Sequence, residues 1–219
     1  MRVRDRVGVN QLWQRRIVWV MEASLVGMFF IGIDRGNTGI IVNTAIALAI
    51  SQLPAVLERD YDIALDAGLT LWITGAVWLH AVGTVGMPGA DQNFYATIWW
   101  WDHLTHALSS SVVAAVGYTT VRAIDLHSED IYLPPRFMFV FILLFVLAFG
   151  VFWEVIEFTL GEFAALAGAT SVLTQYGLED TMLDLVFNTI GAVVVAVWGT
   201  AHLTDVVGIV ANVIENRQH

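Results

Sequence analysis

The chain has 219 residues, of which 57% are hydrophobic, and it carries a formal net charge of −10 with neither cysteine nor lysine. This hydrophobic share exceeds that of an ordinary soluble domain, so lipid is the expected solvent for most of the chain. The absence of cysteine excludes disulfides, iron–sulfur clusters and thiolate zinc sites, and the acidic balance argues against a nucleic-acid partner.

Six stretches are long and apolar enough to cross a bilayer as helices, which requires about 20 mostly apolar residues each. They lie at 17–33, 38–57, 65–86, 99–122, 136–158 and 181–203. No small-residue cleavage site follows the first stretch, so we expect a retained helix rather than a signal peptide. The predicted fold is therefore all-α, a single polytopic domain over residues 1–219 in the cell membrane.

Arginine positions predict the orientation of these spans. Nine of the ten arginines flank the spans on one side, and only Arg35 lies on the other. Because cytoplasmic flanks retain positive charge during insertion, we expect both termini in the cytoplasm. The outer connections are then 34–37, 87–98 and 159–180. The last is long and apolar, which indicates either a re-entrant or interfacial helix between the fifth and sixth spans or an ordinary surface helix.

The charge pattern also bears on the source of the protein. An acidic chain whose basic residues are all arginine is typical of haloarchaeal proteins. The acids in 58–66 and 125–130 are accordingly interpreted as hydrated loop surface.

Polar and ionisable residues concentrate at the outer ends of the third to sixth spans. With a rise of 1.5 Å per residue, they all fall within a layer of roughly 10 Å. Their spacings of three and four residues place them on one face of each helix. The set consists of His80 in the third span, Asp102, His103 and His106 in the fourth, Glu154 and Glu157 in the fifth, and Asp180, Asp184 and Asn188 in the sixth.

This set predicts a divalent metal site. A charge buried at the bilayer centre costs about 2.5–3.5 kcal/mol, and no basic residue lies in these spans at that depth, so neutralisation falls to protons, a metal ion or a water-filled cavity. Carboxylates with one or two imidazoles suit Mg²⁺, Mn²⁺, Zn²⁺ or Ca²⁺. The predicted ligands are Asp102, His103, His106, Glu154, Glu157 and Asp184, with Glu154 and Glu157 also the candidate catalytic bases and His80, Asp180 and Asn188 as further polar lining.

Each of these residues has a simpler explanation when it is taken alone. Asp102 and Asp180 could cap the starts of their helices, and His80 could be a hydrogen-bonded packing residue. The convergence of His-x-x-His, Glu-x-x-Glu and Asp-x-x-x-Asp-x-x-x-Asn at one depth is what indicates a functional site.

The same positions resemble a known family. The matching residues are Asp102 with His106, then Trp153-Glu154-Val155-Ile156-Glu157-Phe158, and then Thr174-Gln175 followed by Asp180-Thr181, Asp184, Asn188 and Gly191. They are similar to the YjdF-type inner-membrane proteins, the DUF2238 family, and more distantly to VanZ-like proteins. The resemblance covers the third to sixth spans and departs at the start of the chain and at 176–179. It implies a polytopic fold with this acidic constellation and no particular activity.

Three classes of function remain open. The first is a metal-dependent hydrolase or transferase acting on a lipid-like or small amphiphilic substrate at the outer leaflet, with a glutamate as base. The second is a cation or proton transporter or channel, and the third is a structural or accessory subunit. Because Glu22 and Gln52 are the only obvious polar candidates in the inner half, a one-sided pocket is favoured over a conduit. Membrane lipid is the expected partner, and the oligomeric state stays open.

Overall fold

The structure is a computed structural model that describes residues 10–87, 92–128, 130–168, 171–173, 175–197 and 203–216. Within these ranges the chain forms nine helices. They are α1 (Gln11–Asp34), α2 (Thr38–Ser51), α3 (Leu53–Tyr61), α4 (Ala67–Val85), α5 (Phe94–Thr97), α6 (Trp101–His127), α7 (Pro135–Leu166), α8 (Leu178–Val197) and α9 (Thr204–Asn216).

The six predicted spans are confirmed as six helical stretches of sufficient length and hydropathy. They are Gln11–Asp34, Thr38–Tyr61, Ala67–Val85, Trp101–His127, Pro135–Ala167 and Leu178–Val197. The second stretch consists of α2 and α3 with a break at Gln52. Pro54 lies in the first turn of α3, where its missing N–H and fixed φ are tolerated, whereas in mid-helix they would interrupt the hydrogen-bond ladder.

Short polar side chains define where several of these helices begin. The carboxamide oxygen of Asn10 accepts a hydrogen bond from the Leu12 N–H, and that of Asn37 accepts one from the Ile40 N–H. The carboxylate of Asp66 accepts hydrogen bonds from two backbone N–H groups at the start of α4. Each cap satisfies donors that have no partner inside the helix.

The connection between the fifth and sixth spans is mostly a continuation of α7. This helix has 32 residues and is about 48 Å long, so it extends well beyond a hydrocarbon core of about 30 Å. Of the predicted outer segment 159–180, residues up to Leu166 belong to α7 and residues from Leu178 belong to α8. The described residues between them, 167–168, 171–173 and 175–177, form no separate helix.

Two contacts show that the three predicted outer connections meet at one end of the protein. The Arg35 guanidinium after α1 donates to the Val85 carbonyl at the end of α4, at 3.1 Å. The Asn43 amide on α2 donates to the Val172 carbonyl, in the connection after α7, at 3.0 Å. We call this the outer end, following the orientation that the arginines predict. Four of those arginines, Arg2, Arg4, Arg6 and Arg217, lie outside the described residues.

The helices pack in two groups. One contains α1, α2 and α4, the other contains α6, α7, α8 and α9, and α4 joins them by packing on α6. The most extensive helix contact in the described structure is between α6 and α8, where Gly191 lies directly against α6. A Cβ at Gly191 would overlap the Ala107 carbonyl oxygen and the Ser110 hydroxyl, so only glycine permits this approach. The helix α9 was not among the predicted elements, and residues 198–202 of the predicted sixth span lie outside the described residues.

Candidate functional site

Three predicted ligands come together at the outer end between α6 and α8. The His106 Nε2 atom lies 3.4 Å from Asp102 Oδ1 on the same helix and 3.7 Å from Asp184 Oδ2 on α8. The three ligand atoms all lie within 4.8 Å of one another. Asp184 is only 1% exposed. The polar faces predicted for these two helices therefore face each other.

The spacing of these atoms is informative. Hydrogen bonds from a ring nitrogen to oxygen measure about 2.7–3.2 Å, so His106 Nε2 is too far from both carboxylates for a normal hydrogen bond. Ligand atoms held in a tetrahedron at about 2.0–2.1 Å from an ion stand about 3.3–3.4 Å apart. The two separations from His106 Nε2, 3.4 and 3.7 Å, are near that value, and the two carboxylates lie within 4.8 Å of each other.

His103 lies on the other side of Asp184. Its ring stacks on Phe187 with centroids 4.5 Å apart and an interplanar angle of 1°, and its Nδ1 atom is 3.9 Å from Asp184 Oδ1. Both atoms are buried, and neither has a hydrogen-bond partner among the described residues. The two oxygens of Asp184 thus face two different imidazoles.

Glu154 and Glu157 lie on the face of α7 that packs against the other helices, at 5% and 7% exposure. The Thr181 hydroxyl donates to Glu154 Oε2 at 3.0 Å and itself accepts from the Gln175 amide at 2.8 Å. The other oxygen, Glu154 Oε1, is buried without a hydrogen-bond partner in the described structure. Glu157 Oε1 accepts from the Trp153 indole at 3.0 Å. Both glutamates lie near enough to Asp184 to interact with it electrostatically, but they are outside the three-residue group.

Asp180 and Asn188 complete the predicted face of α8. Asp180 Oδ2 accepts from the Tyr176 backbone N–H at 3.0 Å, and its charge interacts with Asp102 and Asp184. Asn188 is buried against Gly150 of α7, and its side chain also interacts with His106. Asp180, Asp184 and Asn188, which are spaced four residues apart on α8, therefore all face the site.

His80 belongs to a neighbouring hydrogen-bond network rather than to the three-residue group. Its Nε2 lies 3.1 Å from Asn43 Oδ1, and its Nδ1 lies 2.6 Å from the Tyr95 hydroxyl. Because the Asn43 amide nitrogen already donates to Gly39 and Val172, Oδ1 faces the ring and Nε2 must carry the proton. The Tyr95 hydroxyl then donates to Nδ1. This arrangement matches the simpler alternative for His80, a hydrogen-bonded packing residue.

No role in the site was predicted from the sequence for Tyr95, Trp153 or Phe187. Tyr95 lies in the short helix α5, and burial raises the pKa of its phenol well above the usual range. Trp153 contacts the His80 ring edge-on, with centroids 6.4 Å apart, and so links the His80 network to Glu157. Trp153 and Phe187 lie on the same helical faces as the acids, so their spacing could have placed them at the site. Tyr95 lies in a short helix outside the spans, where residue spacing predicts nothing about the site.

An apolar layer lies inward of the site. Ala114, Ile142, Val146, Ala192 and Val195 are buried together between α6, α7 and α8. Of the nearby hydroxyls, Ser110 and Ser111 donate to carbonyls of their own helix. Glu22 and Gln52 bond each other at 2.9 Å in the other helix group. In the described part of α6–α8, the next buried carboxylate inward is Asp125, near the inner end.

These features define a multi-pass membrane protein with a buried acid–histidine site at one end of its helices. The chain belongs to the DUF2238 family of predicted membrane proteins, whose match covers residues 17–205. It is also similar to an uncharacterized protein of Thermotoga maritima, with 30% identity over 143 residues, which are 65% of this chain and 67% of that protein. No solved structure matches the chain. The family resemblance and the membrane location are confirmed, whereas the VanZ-like likeness and the haloarchaeal origin stay predictions.

Proposed function

We propose that this protein is a membrane enzyme that uses one divalent metal ion to hydrolyse or transfer part of a lipid-like substrate at the outer face. The observation that carries the proposal is the group formed by Asp102 Oδ1, His106 Nε2 and Asp184 Oδ2. These atoms lie within 4.8 Å of one another, yet the ring nitrogen is 3.4 and 3.7 Å from the two carboxylates. An ion shared by all three accounts for both distances.

The number of ligands suits catalysis. Catalytic zinc sites have three protein ligands and one open position, whereas structural sites use four. An ion in such a site lowers the pKa of bound water and so generates a nucleophile at neutral pH. His103 would support the site by facing the second oxygen of Asp184, rather than by binding the same ion. In this proposal the ligand set is narrower than the six residues that the sequence predicts.

Glu154 is the best-placed general base. One of its oxygens is held by Thr181, which fixes the orientation of the carboxylate, and the other is buried without a partner among the residues that the structure describes. A base needs a free oxygen directed at the proton that it removes. Glu157 accepts a hydrogen bond from Trp153, so its role in the proposal is to add negative charge beside the base.

The apolar layer beneath the site supports an enzyme over a transporter. An ion or proton crossing the membrane needs ionisable or hydrated groups along its path, and Ile142, Val146 and Val195 fill the space inward of the site. A purely structural bridge, in turn, gives no reason for a Glu154 oxygen that has no partner in the described part of the chain, because buried polar atoms are normally hydrogen-bonded.

Elemental analysis of the purified protein tests this proposal. The protein, loaded separately with Zn²⁺, Mn²⁺ or Mg²⁺ in neutral detergent, should retain about one ion per chain of the preferred metal. Asp184→Asn and His106→Gln should abolish retention, whereas Glu154→Gln should not. Glu162→Gln is the matched control, because Glu162 lies on α7 two turns beyond Glu154 and is exposed. A wild-type protein that retains no divalent ion would refute the proposal.

A further inference from the structure

The outer site is acidic, and among the described residues its basic side chains are the imidazoles of His103 and His106 rather than arginine or lysine. Five carboxyl side chains lie at the outer end of α6, α7 and α8, where His106 joins Asp102 to Asp184 and Thr181 joins α8 to Glu154: Asp102, Glu154, Glu157, Asp180 and Asp184. The chain contains no lysine. The arginine at the outer end, Arg35, donates to the Val85 carbonyl. Phosphate and carboxylate groups are usually recognised by arginine or lysine, and neither is available among the described residues of this site.

The backbone offers no better place for an anion. The helices α6 and α8 both begin at the outer end, and a free helix N-terminus can bind phosphate through its N–H groups and its dipole. Here the first turn of α6 already contains Asp102, and the first turn of α8 contains Glu179 and Asp180. These carboxylates provide the negative charge that the helix dipoles favour, so a phosphate arriving at either terminus would be repelled.

Aromatic rings lie beside the carboxylates at the outer end. Tyr176 is 49% exposed and interacts electrostatically with Asp102, Asp180 and Glu157. Burial, reinforced by these three acids, raises the pKa of the Tyr176 phenol, which therefore stays neutral. Trp99, which is 81% exposed, contacts the His103 ring edge-on with centroids 6.4 Å apart. Neutral aromatic faces next to carboxylates are the usual surroundings of bound ammonium groups.

Two buried atoms indicate that the site is incomplete without a ligand. Glu154 and Asp184 are each more than nine-tenths buried, and Glu154 Oε1 and Asp184 Oδ1 have no hydrogen-bond partner within the described ranges. A single divalent ion neutralises at most two of the five carboxyl groups. The remaining carboxyl oxygens are hydrogen-bond acceptors that a positively charged N–H or N-methyl group can meet.

We infer that the substrate of this site carries a cationic head group, an amine or a quaternary ammonium, and that phosphate-bearing head groups are rejected. The inference rests on the proposed function for the place of binding. Tyr176 is the specificity residue, because its backbone N–H donates to Asp180 Oδ2, its side chain is half exposed, and it forms no hydrogen bond with Asp102, His106 or Asp184 within the described part of the chain.

Three amphiphiles with the same alkyl chain test the inference: decyltrimethylammonium, decyl phosphate and decyl maltoside. Each is titrated below its micelle-forming concentration into protein of measured metal content, and binding is followed by tryptophan fluorescence. Decyl maltoside measures partition of the alkyl chain alone. The ammonium compound should bind saturably and at least about tenfold more tightly than the phosphate, because the acidic site repels the negatively charged phosphate head group. Tyr176→Ala should weaken ammonium binding about 2- to 30-fold, whereas Tyr176→Phe and the control Glu162→Gln should not.

The outcomes separate the two proposals. Metal-loaded protein that binds decyl phosphate as tightly as the ammonium compound, or an ammonium affinity that Tyr176→Ala leaves unchanged, overturns the inference and leaves the proposed function standing. Protein that retains no divalent ion refutes the proposed function, whatever the amphiphiles show. Saturable ammonium binding that depends on Tyr176 supports the inference in either case.

Discussion

Buried aspartates at the two ends of the α6–α8 packing have opposite surroundings. Asp125, near the inner end of α6, forms an ion pair with Arg122 and accepts a hydrogen bond from the Leu133 N–H at 2.7 Å. Asp184, at the outer end, has no arginine partner among the described residues; it faces the imidazoles of His103 and His106 at 3.9 and 3.7 Å, and its Oδ1 has no hydrogen bond there. A satisfied buried carboxylate stabilises a fold, whereas an unsatisfied one indicates a binding site.

The test with the largest expected effect asks which end of the helices faces the outside of the cell, because a labelling site either reacts or does not. Because the chain has no cysteine, a single introduced cysteine can be labelled without background. Gln92→Cys, at an exposed position just before α5, should react with an impermeant thiol reagent in intact cells, and Asp130→Cys, between α6 and α7, should not. Both should react after permeabilisation. Labelling of Asp130→Cys in intact cells would reverse the orientation.

The two aspartates should respond oppositely to substitution. Asp184→Asn removes a proposed ligand, so bound metal should fall below about a tenth of the wild-type level with the fold retained. Asp125→Asn leaves Arg122 without its ion-pair partner and should lower the free energy of unfolding by about 1–3 kcal/mol with metal content unchanged. Elemental analysis and equilibrium unfolding measure both quantities. Equal metal loss in the two variants would contradict the comparison.

Glu154→Gln should separate catalysis from metal binding. Loss of a general base typically lowers turnover by about 10²–10⁴-fold, while a neutral amide of the same shape leaves the ion in place. Turnover is measured as alcohol release from an alkyl ester with an ammonium head group, with Glu162→Gln as the control. If Glu154→Gln retained full turnover of an ester that the wild-type enzyme cleaves, Glu154 would not be the base.

Acidification and chelation should have the same effect on the outer site. Protons compete with a metal for carboxylates and imidazole, so metal affinity falls as pH falls, and the stability contributed by the ion is lost with it. At a free metal concentration 100 times Kd that contribution is about 2.7 kcal/mol. A chelator at neutral pH should therefore lower the Tm of the wild-type protein by as much as loss of the ion at low pH does. In Asp184→Asn, which lacks a proposed ligand, neither treatment should lower Tm by removing the ion. If the chelator lowered the Tm of this variant as much as that of the wild type, the ion would be bound elsewhere.

The smallest effect is expected in the His80 network. Tyr95→Phe removes the hydroxyl that donates to His80 Nδ1, leaving a buried acceptor unpaired at a cost of about 1–2 kcal/mol. Metal content should not change, because His80 lies outside the three-residue group. Tyr132→Phe, at a tyrosine that is 79% exposed, is the matched control. Metal loss in Tyr95→Phe would assign His80 to the metal site instead.

The sequence by itself determined the spans and the polar face of each helix. Both follow from local regularities: a bilayer requires about 20 apolar residues, and residues three or four apart share a helix face. Asp102 with His106, and Asp184 with Asn188, were therefore predictable as pairs. The extent of α7 was not, because bilayer thickness predicts the length of a span while the helix itself continues to Leu166.

The tertiary structure alone decided which of these faces meet. Gly191 brings α8 against Ala107 and Ser110, and this approach sets Asp184 beside His106 while Glu154 and Glu157 stay outside the group. It also assigned His80 to Asn43 and Tyr95, which lie 37 and 15 residues away along the chain. Such pairings depend on the rotation and axial offset of one helix against another. Those quantities result from close packing summed over many side chains, and no short stretch of sequence encodes them.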